Sequence, residues 1–541
     1  MSLLSMIKRK SAAPRPQAQP WWKGAAIYQI YPRSFMDSDG DGIGDLPGIT
    51  AKLDHVASLG VDAIWISPFF TSPMQDFGYD VADFRDVDPV FGTLADFDAL
   101  IEKAHALGLK VIIDQVYSHS SDKHRWFEAS RQDRTNAHAN YYVWADAKPD
   151  GTAPNNWQSI FGGPAWTWDP RRKQYYFHNF LPEQPDLNLH DATVQEELLD
   201  VSKFWLERGV DGFRLDAVLH MMHDPALTDN PPAPGGLEGK SRSHHFQDNI
   251  HNQGHPATFD FLEKLRALTD RYGAVFTVAE VGGTAGKDFA AACVEGEDRL
   301  NSAYGFDFLY AEDLSPDVIC DTQASWRDDG HAGWPTWAFE NHDAPRAVSR
   351  WNDRGNREAF ARFKMALLAA LRGNIILYQG EELGLGQVEI PYEQVQDPEA
   401  LRNWPLTLSR DGARTPMPWD EAQCCAGFSK VEPWLPVGED NAPRAVASQE
   451  ADPGSMLHFT RTMLKLRGAH PALRHGSVTC EVKDNVLSMT RSADGETLTW
   501  LFNFNDETVA TALTGARTEL ARVNGGSADA LPPLGAVLLG E

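Results

Sequence analysis

Three stretches of the chain share one pattern, and that pattern limits the folds open to it. They read PGITAKLDHVASLGVDAIWISP, TLADFDALIEKAHALGLKVIIDQV and TVQEELLDVSKFWLERGVDGFRLDAV. In each, apolar residues at helical spacing (Ile49, Leu53, Val56; Phe97, Leu100, Ile101, Ala104) lead to a glycine, Gly60, Gly108 or Gly209. Such a glycine closes a helix in a left-handed conformation, and the short apolar run behind it suits a buried strand. Runs of the buried-strand type recur near residues 27–34, 61–68, 109–117, 211–218, 274–281, 302–308, 335–341 and 374–379. Eight strands separated by helices predict a closed (β/α)8 TIM barrel, an α/β fold whose site lies where the strands end. Periodicity alone also leaves an open doubly wound sheet available.

The rest of the chain is divided by composition. Residues 1–19 are expected to be a disordered leader, and 20–119 and 191–471 the two parts of the barrel domain. Residues 120–190, rich in Trp, Asn, Pro and Gly without a helical period, read as an inserted lobe, and 382–440 as an irregular excursion. From 472 to 541 the pattern alternates, with Asp494-Gly495 as a hairpin turn, which predicts a C-terminal antiparallel β domain. A net charge of −27 excludes a phosphate-tracking surface and so argues against nucleic acid. No run approaches the ~18 apolar residues that a membrane span needs. Five cysteines (Cys293, Cys320, Cys424, Cys425, Cys480) are an odd number without metal-site spacing, which predicts reduced thiols, no disulfide framework and a cytoplasmic location.

Barrel chemistry is done at strand carboxyl ends, and three acids stand there: Asp216 after GFRL, Glu280 after FTVA and Asp343 after AFENH. Cleaving a glycosidic bond with retention takes one ionised carboxylate and one protonated carboxyl group. Arg214, two residues before Asp216 on the same side of its strand, is expected to lower the Asp216 pKa. The apolar VFTVA before Glu280 is expected to raise that of Glu280, so that opposite environments give opposite roles.

The segments DQVYSHS (114–120), GFRLDAV (212–218), VAEV (278–281) and ENHD (340–343) resemble, in order, the four signature regions of the α-amylase family, glycoside hydrolase family 13. QPDLN (184–188) resembles a fifth. The resemblance implies Asp216 as nucleophile, Glu280 as general acid/base and Asp343 as the residue that holds sugar hydroxyls. It implies His119 and His342 as sugar ligands and Arg214 as supporting arginine.

DFGYD (76–80) and DGARTPMPW (411–419) resemble stretches of exo-acting α-glucosidases and oligo-1,6-glucosidases. That implies a pair, Asp76 with Arg414, gripping the non-reducing end, and Tyr79 stacked on the terminal glucose. Phe161, in the lobe segment IFGGPAW, is a candidate aromatic wall. Ala217, after the nucleophile, resembles α-1,4-preferring relatives, since the oligo-1,6-glucosidases tend to carry valine there. The RLDRD-type stretch of isomaltulose-forming relatives has no match.

The loop DSDGDGIGDL (37–46) alternates Asp37, Asp39 and Asp41 and adds Asp45, an oxygen-rich turn suited to Ca²⁺. The family resemblance implies a structural calcium there, with Ile43 giving its carbonyl, and no cofactor for catalysis. Ser118 stands where amylases carry asparagine, which puts the family's other calcium site in doubt. The expected partners are small α-glucosides and hydroxyl acceptors. A glucosyltransferase or isomerase acting on sucrose or trehalose is the alternative. Transporter heavy chains of the same fold lack the full acid set and need a membrane span.

Overall fold

Alternation along short apolar strands decides which side chains enter the barrel. In a computed structural model, described over residues 19–235, 242–282, 286–326, 333–352, 355–405, 409–511 and 517–541, eight parallel strands close on themselves. They are β1 (Ala26–Ile30), β2 (Ala63–Ile66), β3 (Lys110–Gln115), β4 (Gly212–Leu215), β5 (Phe276–Val281), β6 (Ser302–Gly305), β7 (Trp334–Ala338) and β8 (Asn374–Tyr378). Each pairs with the next, and β8 returns to β1. Ile27, Ala63, Trp65, Ile112, Phe276, Val278, Tyr304 and Ile376 form one buried cluster, the barrel interior. The alternate residues Tyr28, Ile64, Ile66, Val111, Ile113, Phe213, Leu215, Ala279 and Ile375 join a separate, larger cluster with the helices. The period of two therefore sends Asp114, Arg214, Asp216 and Glu280 inward with the first set.

The helices α1 (Leu46–Ser58), α2 (Leu94–Ala106) and α3 (Ala192–Glu207) begin at capping Asp45, Thr93 and Asp191. Beyond their ends Gly60, Gly108 and Gly209 have φ of 86°, 81° and 95°, the left-handed region expected of them. Between β3 and α3 a three-stranded sheet (Trp144–Ala145, Gln174–Phe177, Trp166–Asp169) packs around Trp157, Trp166 and Phe177.

The C-terminal sheet is antiparallel, built of β9 (Ser477–Lys483), β10 (Val486–Ala493), β11 (Glu496–Asn503), β12 (Thr518–Val523) and β13 (Ala536–Gly540) in the order β9-β10-β11-β13-β12. Asp494 and Gly495, φ 52° and 83°, make the turn between β10 and β11. Residues 1–18 of the expected leader lie outside the described residues. No helix among the described residues is long and apolar enough to cross a membrane.

The cysteine reading needs correction. Cys320, on α4 (Pro316–Ser325), is bonded to Cys480 on β9, with Cα atoms 5.5 Å apart. The two are 160 residues apart in sequence and meet only because the C-terminal sheet docks on that barrel helix. Cys293, Cys424 and Cys425 are free.

Candidate active site

Register places the acids before any side chain is considered. Asp114 is level with Arg214 across β3 and β4, and Glu280 with Tyr304 across β5 and β6. Arg214, with its side chain buried, lies at the centre of the site. Its Nη1 is 2.5 Å from Asp114 Oδ1 and 2.7 Å from Asp216 Oδ1, and its Nη2 is 2.5 Å from Glu280 Oε1. Its guanidinium lies 5.0 Å from the Trp65 ring, and Trp65 Nε1 donates to Asp114 Oδ2 at 2.9 Å. Tyr304 Oη accepts from Arg214 and donates to Glu280 Oε1 at 3.2 Å. The backbone N–H of Ala217 donates to Glu280 Oε2 at 3.2 Å.

One guanidinium faces three largely buried carboxyl groups, and a single cation cannot balance them all. Burial pushes both Asp216 and Glu280 up to about 7, with Arg214 opposing and the neighbouring acids adding to the rise. Burial likewise raises Asp114 to about 6. Arg214 does lower Asp216 as expected, but burial outweighs it and the net shift is upward. Arg214 reaches acids on both neighbouring strands and lies as close to Glu280 as to Asp216, so its charge is divided between them.

Asp343 is the contrasting acid. Burial works against its ionisation, but His342, Arg410 and Arg414 outweigh it and hold it well below the carboxylate range. His342 is itself pushed down to about 3 by burial, so at neutral pH the two arginines carry the effect. Arg414 Nη2 lies 2.5 Å and Arg410 Nη1 3.1 Å from Asp343 Oδ1.

The expected pair of Asp76 with Arg414 is not formed. Asp76 Oδ1 meets Arg410 Nη2 at 3.0 Å, while Arg414 is committed to Asp343 and to the carbonyl of His342. A short 3-10 helix, Arg410–Ala413, sets the register: Arg410 at its start faces Asp76 and Asp397, and Arg414 just past its end faces Asp343.

The other expected sugar ligands converge here. Tyr79 Oη is 2.7 Å from His342 Nε2, with the two rings stacked at 5.5 Å. Gln29 Nε2 approaches His342 Nδ1 at 2.8 Å. His119, pushed down to about 4 by burial, contacts the Tyr79 carbonyl at 3.0 Å. Phe161, from the lobe, lies 5.3 Å from the Arg410 guanidinium and 5.7 Å from Phe180. Ala217 is left-handed (φ 46°, ψ 44°), a costly conformation for a residue with a Cβ and one found at functional turns.

Sequence reasoning did not single out Asp114, Gln184, Tyr304, Asp397 or Arg410. Gln184 Nε2 joins Asp76 Oδ2 to His119, each at 3.2 Å. The signals for Asp114 and Gln184 were the motifs DQVYSHS and QPDLN themselves. Arg410, four residues before Arg414, had none beyond its charge.

In the acidic loop, Asp37, Asp39 and Asp45 bring carboxylate oxygens within 4.8 Å of one another. The set is all oxygen and fits a hard cation. Gly40 and Gly42 N–H and Ser429 Oγ donate to Asp37, while Gly48 N–H donates to Asp45. Asp41 stands outside the trio and accepts from the N–H of Ile43 at 2.8 Å.

Known proteins resemble the chain over most of its length. The family profile described as "Alpha amylase, catalytic domain" matches residues 29–476. A probable alpha-glucosidase of Rhizobium meliloti is 51% identical over 92% of each chain. An oligo-1,6-glucosidase of Parageobacillus thermoglucosidasius is 36% identical over 90% of this chain and 91% of its own. The crystal structure of an alpha-glucosyl transfer enzyme, XgtA, is 48% identical, with a TM-score of 0.92 over 96% of this chain and 99% of that one. The trehalulose synthase MutB of Pseudomonas mesoacidophila MX-45 is 32% identical, with a TM-score of 0.88 over 97% of this chain and all of that one. With its closed barrel, its acids at strand ends and a profile match over most of its length, the chain belongs to the α-amylase family of glycoside hydrolases, glycoside hydrolase family 13.

Proposed function

We propose that the protein is an exo-acting, retaining α-glucosidase that takes the non-reducing terminal glucosyl unit from short α-glucosides by double displacement. The observation that carries this reading is the joint hold of Arg214 on Asp216 and Glu280, beside a pocket end filled by the Asp76 and Arg410 pair. In the first step Asp216 attacks the anomeric carbon while Glu280 protonates the departing oxygen, leaving a glucosyl ester on Asp216. Glu280 then takes a proton from water or from an acceptor hydroxyl, which displaces Asp216. Asp343, His342 and His119 hold the sugar hydroxyls, and Tyr79 and Phe161 supply ring surfaces. Asp76 and Arg410, with Arg414 on Asp343, would close the pocket past the terminal residue.

Ala217 supports a preference for α-1,4 links. In the acidic loop, Asp37, Asp39 and Asp45 would hold a structural Ca²⁺, whose charge would offset the crowded carboxylates. A second reading, glucosyl transfer or isomerisation on sucrose or trehalose, draws on the resemblance to the alpha-glucosyl transfer enzyme and the trehalulose synthase. Proton NMR of early product from maltose tests the mechanism: α-glucose is expected first, and β-glucose first would exclude double displacement. Assay of maltose, isomaltose, sucrose and trehalose, with and without an alcohol acceptor, separates the two readings.

A further inference from the structure

The irregular segment after β8 carries two adjacent cysteines, Cys424 and Cys425, that have no part in the site above. Their sulfurs are 3.2 Å apart, nearer than the roughly 3.5–4.0 Å of ordinary packing contacts. Cys424 is exposed, and Cys425 donates its S–H to the carbonyl of Val431 at 3.0 Å. The backbone holds the pair in an unusual turn. Cys425 (φ 51°, ψ 37°) and Ala426 (φ 51°, ψ 32°) are both left-handed without being glycine. Such residues persist only where their surroundings fix them. Here the Ala426 carbonyl accepts from the N–H groups of Trp419 and Asp420, each at 2.8 Å, and Phe428 N–H donates to Cys425. Two residues further on, the Phe428 carbonyl accepts from Asp37 N–H at 3.1 Å and Ser429 Oγ donates to Asp37 Oδ2 at 2.6 Å.

We propose that Cys424 and Cys425 form a redox modification site, a vicinal dithiol that low-molecular-weight disulfides close into an intrachain ring. The thiolate of exposed Cys424 attacks one sulfur of the small disulfide and releases one small thiol. Cys425, already within reach, gives up its proton and displaces the second small thiol, forming the bond between its Sγ and that of Cys424. The dithiol is oxidised and the small disulfide is reduced to two thiols. A ring closed between neighbouring residues is strained, so an excess of the small disulfide closes it and an excess of the small thiol reopens it. It stands a few residues from the hydrogen bonds that anchor Asp37.

The test uses the full-length enzyme and oxidised glutathione as the probe. Thiols are counted after denaturation, and intact and peptide masses are measured. Three free thiols are expected before treatment, from Cys293, Cys424 and Cys425, and one afterwards. The peptide holding 424 and 425 should lose two hydrogen atoms, and reduced glutathione should restore them. Cys425→Ser should form no ring and keep the Cys293 thiol. A wild-type count that stays at three, or stable glutathione adducts in place of the ring, overturns the proposal.

Discussion

Arg410 reaches Asp76 at 3.0 Å, and its guanidinium also meets Asp397 at 2.8 Å and Asp343 at 3.1 Å. Removing it takes the ion-pair partner from buried Asp76 and Asp397, while Asp343 keeps Arg414, and breaking a buried pair on one side costs roughly 3–5 kcal/mol of stability. Arg410→Ala is expected to lower kcat/KM for maltose by about 100-fold or more, a loss of roughly 2.7 kcal/mol or more in transition-state stabilisation. Arg410→Lys, a point charge in place of a fork, should recover only part of it. Steady-state kinetics on both variants decide this, and unchanged kcat/KM in Arg410→Ala would remove Arg410 from the pocket's end.

The raised pKa of both Asp216 and Glu280 shapes the pH profile. Attack needs Asp216 ionised and Glu280 protonated, and both groups titrate near 7, so kcat/KM should follow a narrow bell around neutrality. The same shifts bear on stability. A carboxyl group whose folded pKa is raised stabilises the fold at low pH, and that contribution is lost as pH rises from about 4 towards 7. Asp216→Asn removes one such charge. It should abolish turnover, by about 10⁴-fold, and melt higher relative to wild type at pH 8 than at pH 4.5. Differential scanning calorimetry at the two pH values checks the sign.

Calcium removal offers a separate handle on the acidic loop. A bound ion at 100 times its Kd adds about 2.7 kcal/mol to stability. Chelation should therefore lower the melting temperature, added Ca²⁺ should restore it, and Asp39→Asn should lose the response. A melting temperature indifferent to chelator in the wild type would leave the trio as a turn without an ion.

Ala217→Val sets linkage preference against backbone strain. Valine should raise activity on isomaltose relative to maltose, by about 10-fold if Ala217 governs the choice, since one or two methyl groups in a pocket are worth about 1–3 kcal/mol. At φ 46° a β-branched residue is also strained, so the variant should melt lower. An unchanged isomaltose to maltose ratio would free Ala217 of that role.

The barrel was legible because helix, glycine and apolar strand recur with local signals that each stand alone. Asp216, Glu280 and Asp343 were legible for the same reason, as charged residues ending buried runs. What failed were relationships between distant segments. The partner of Asp76 depends on which end of a short 3-10 helix each arginine leaves, and no periodicity in 382–440 records that. The sharing of Arg214 depends on the register of β4 beside β5, which the residues of neither strand specify alone. Cys320 and Cys480 meet only through the docking of the C-terminal sheet, and an odd cysteine count pointed the other way.

That cross-link gives the chain a covalent loop. Between Cys320 and Cys480 lie β7, β8, Asp343, Arg410 and Arg414, the cationic side of the pocket, so that half of the active site hangs in a closed cord. A protease that cuts the exposed stretch near Tyr392 would open the cord without releasing either piece. The nicked enzyme should migrate as one species on a denaturing gel until a reductant is added, and then as two.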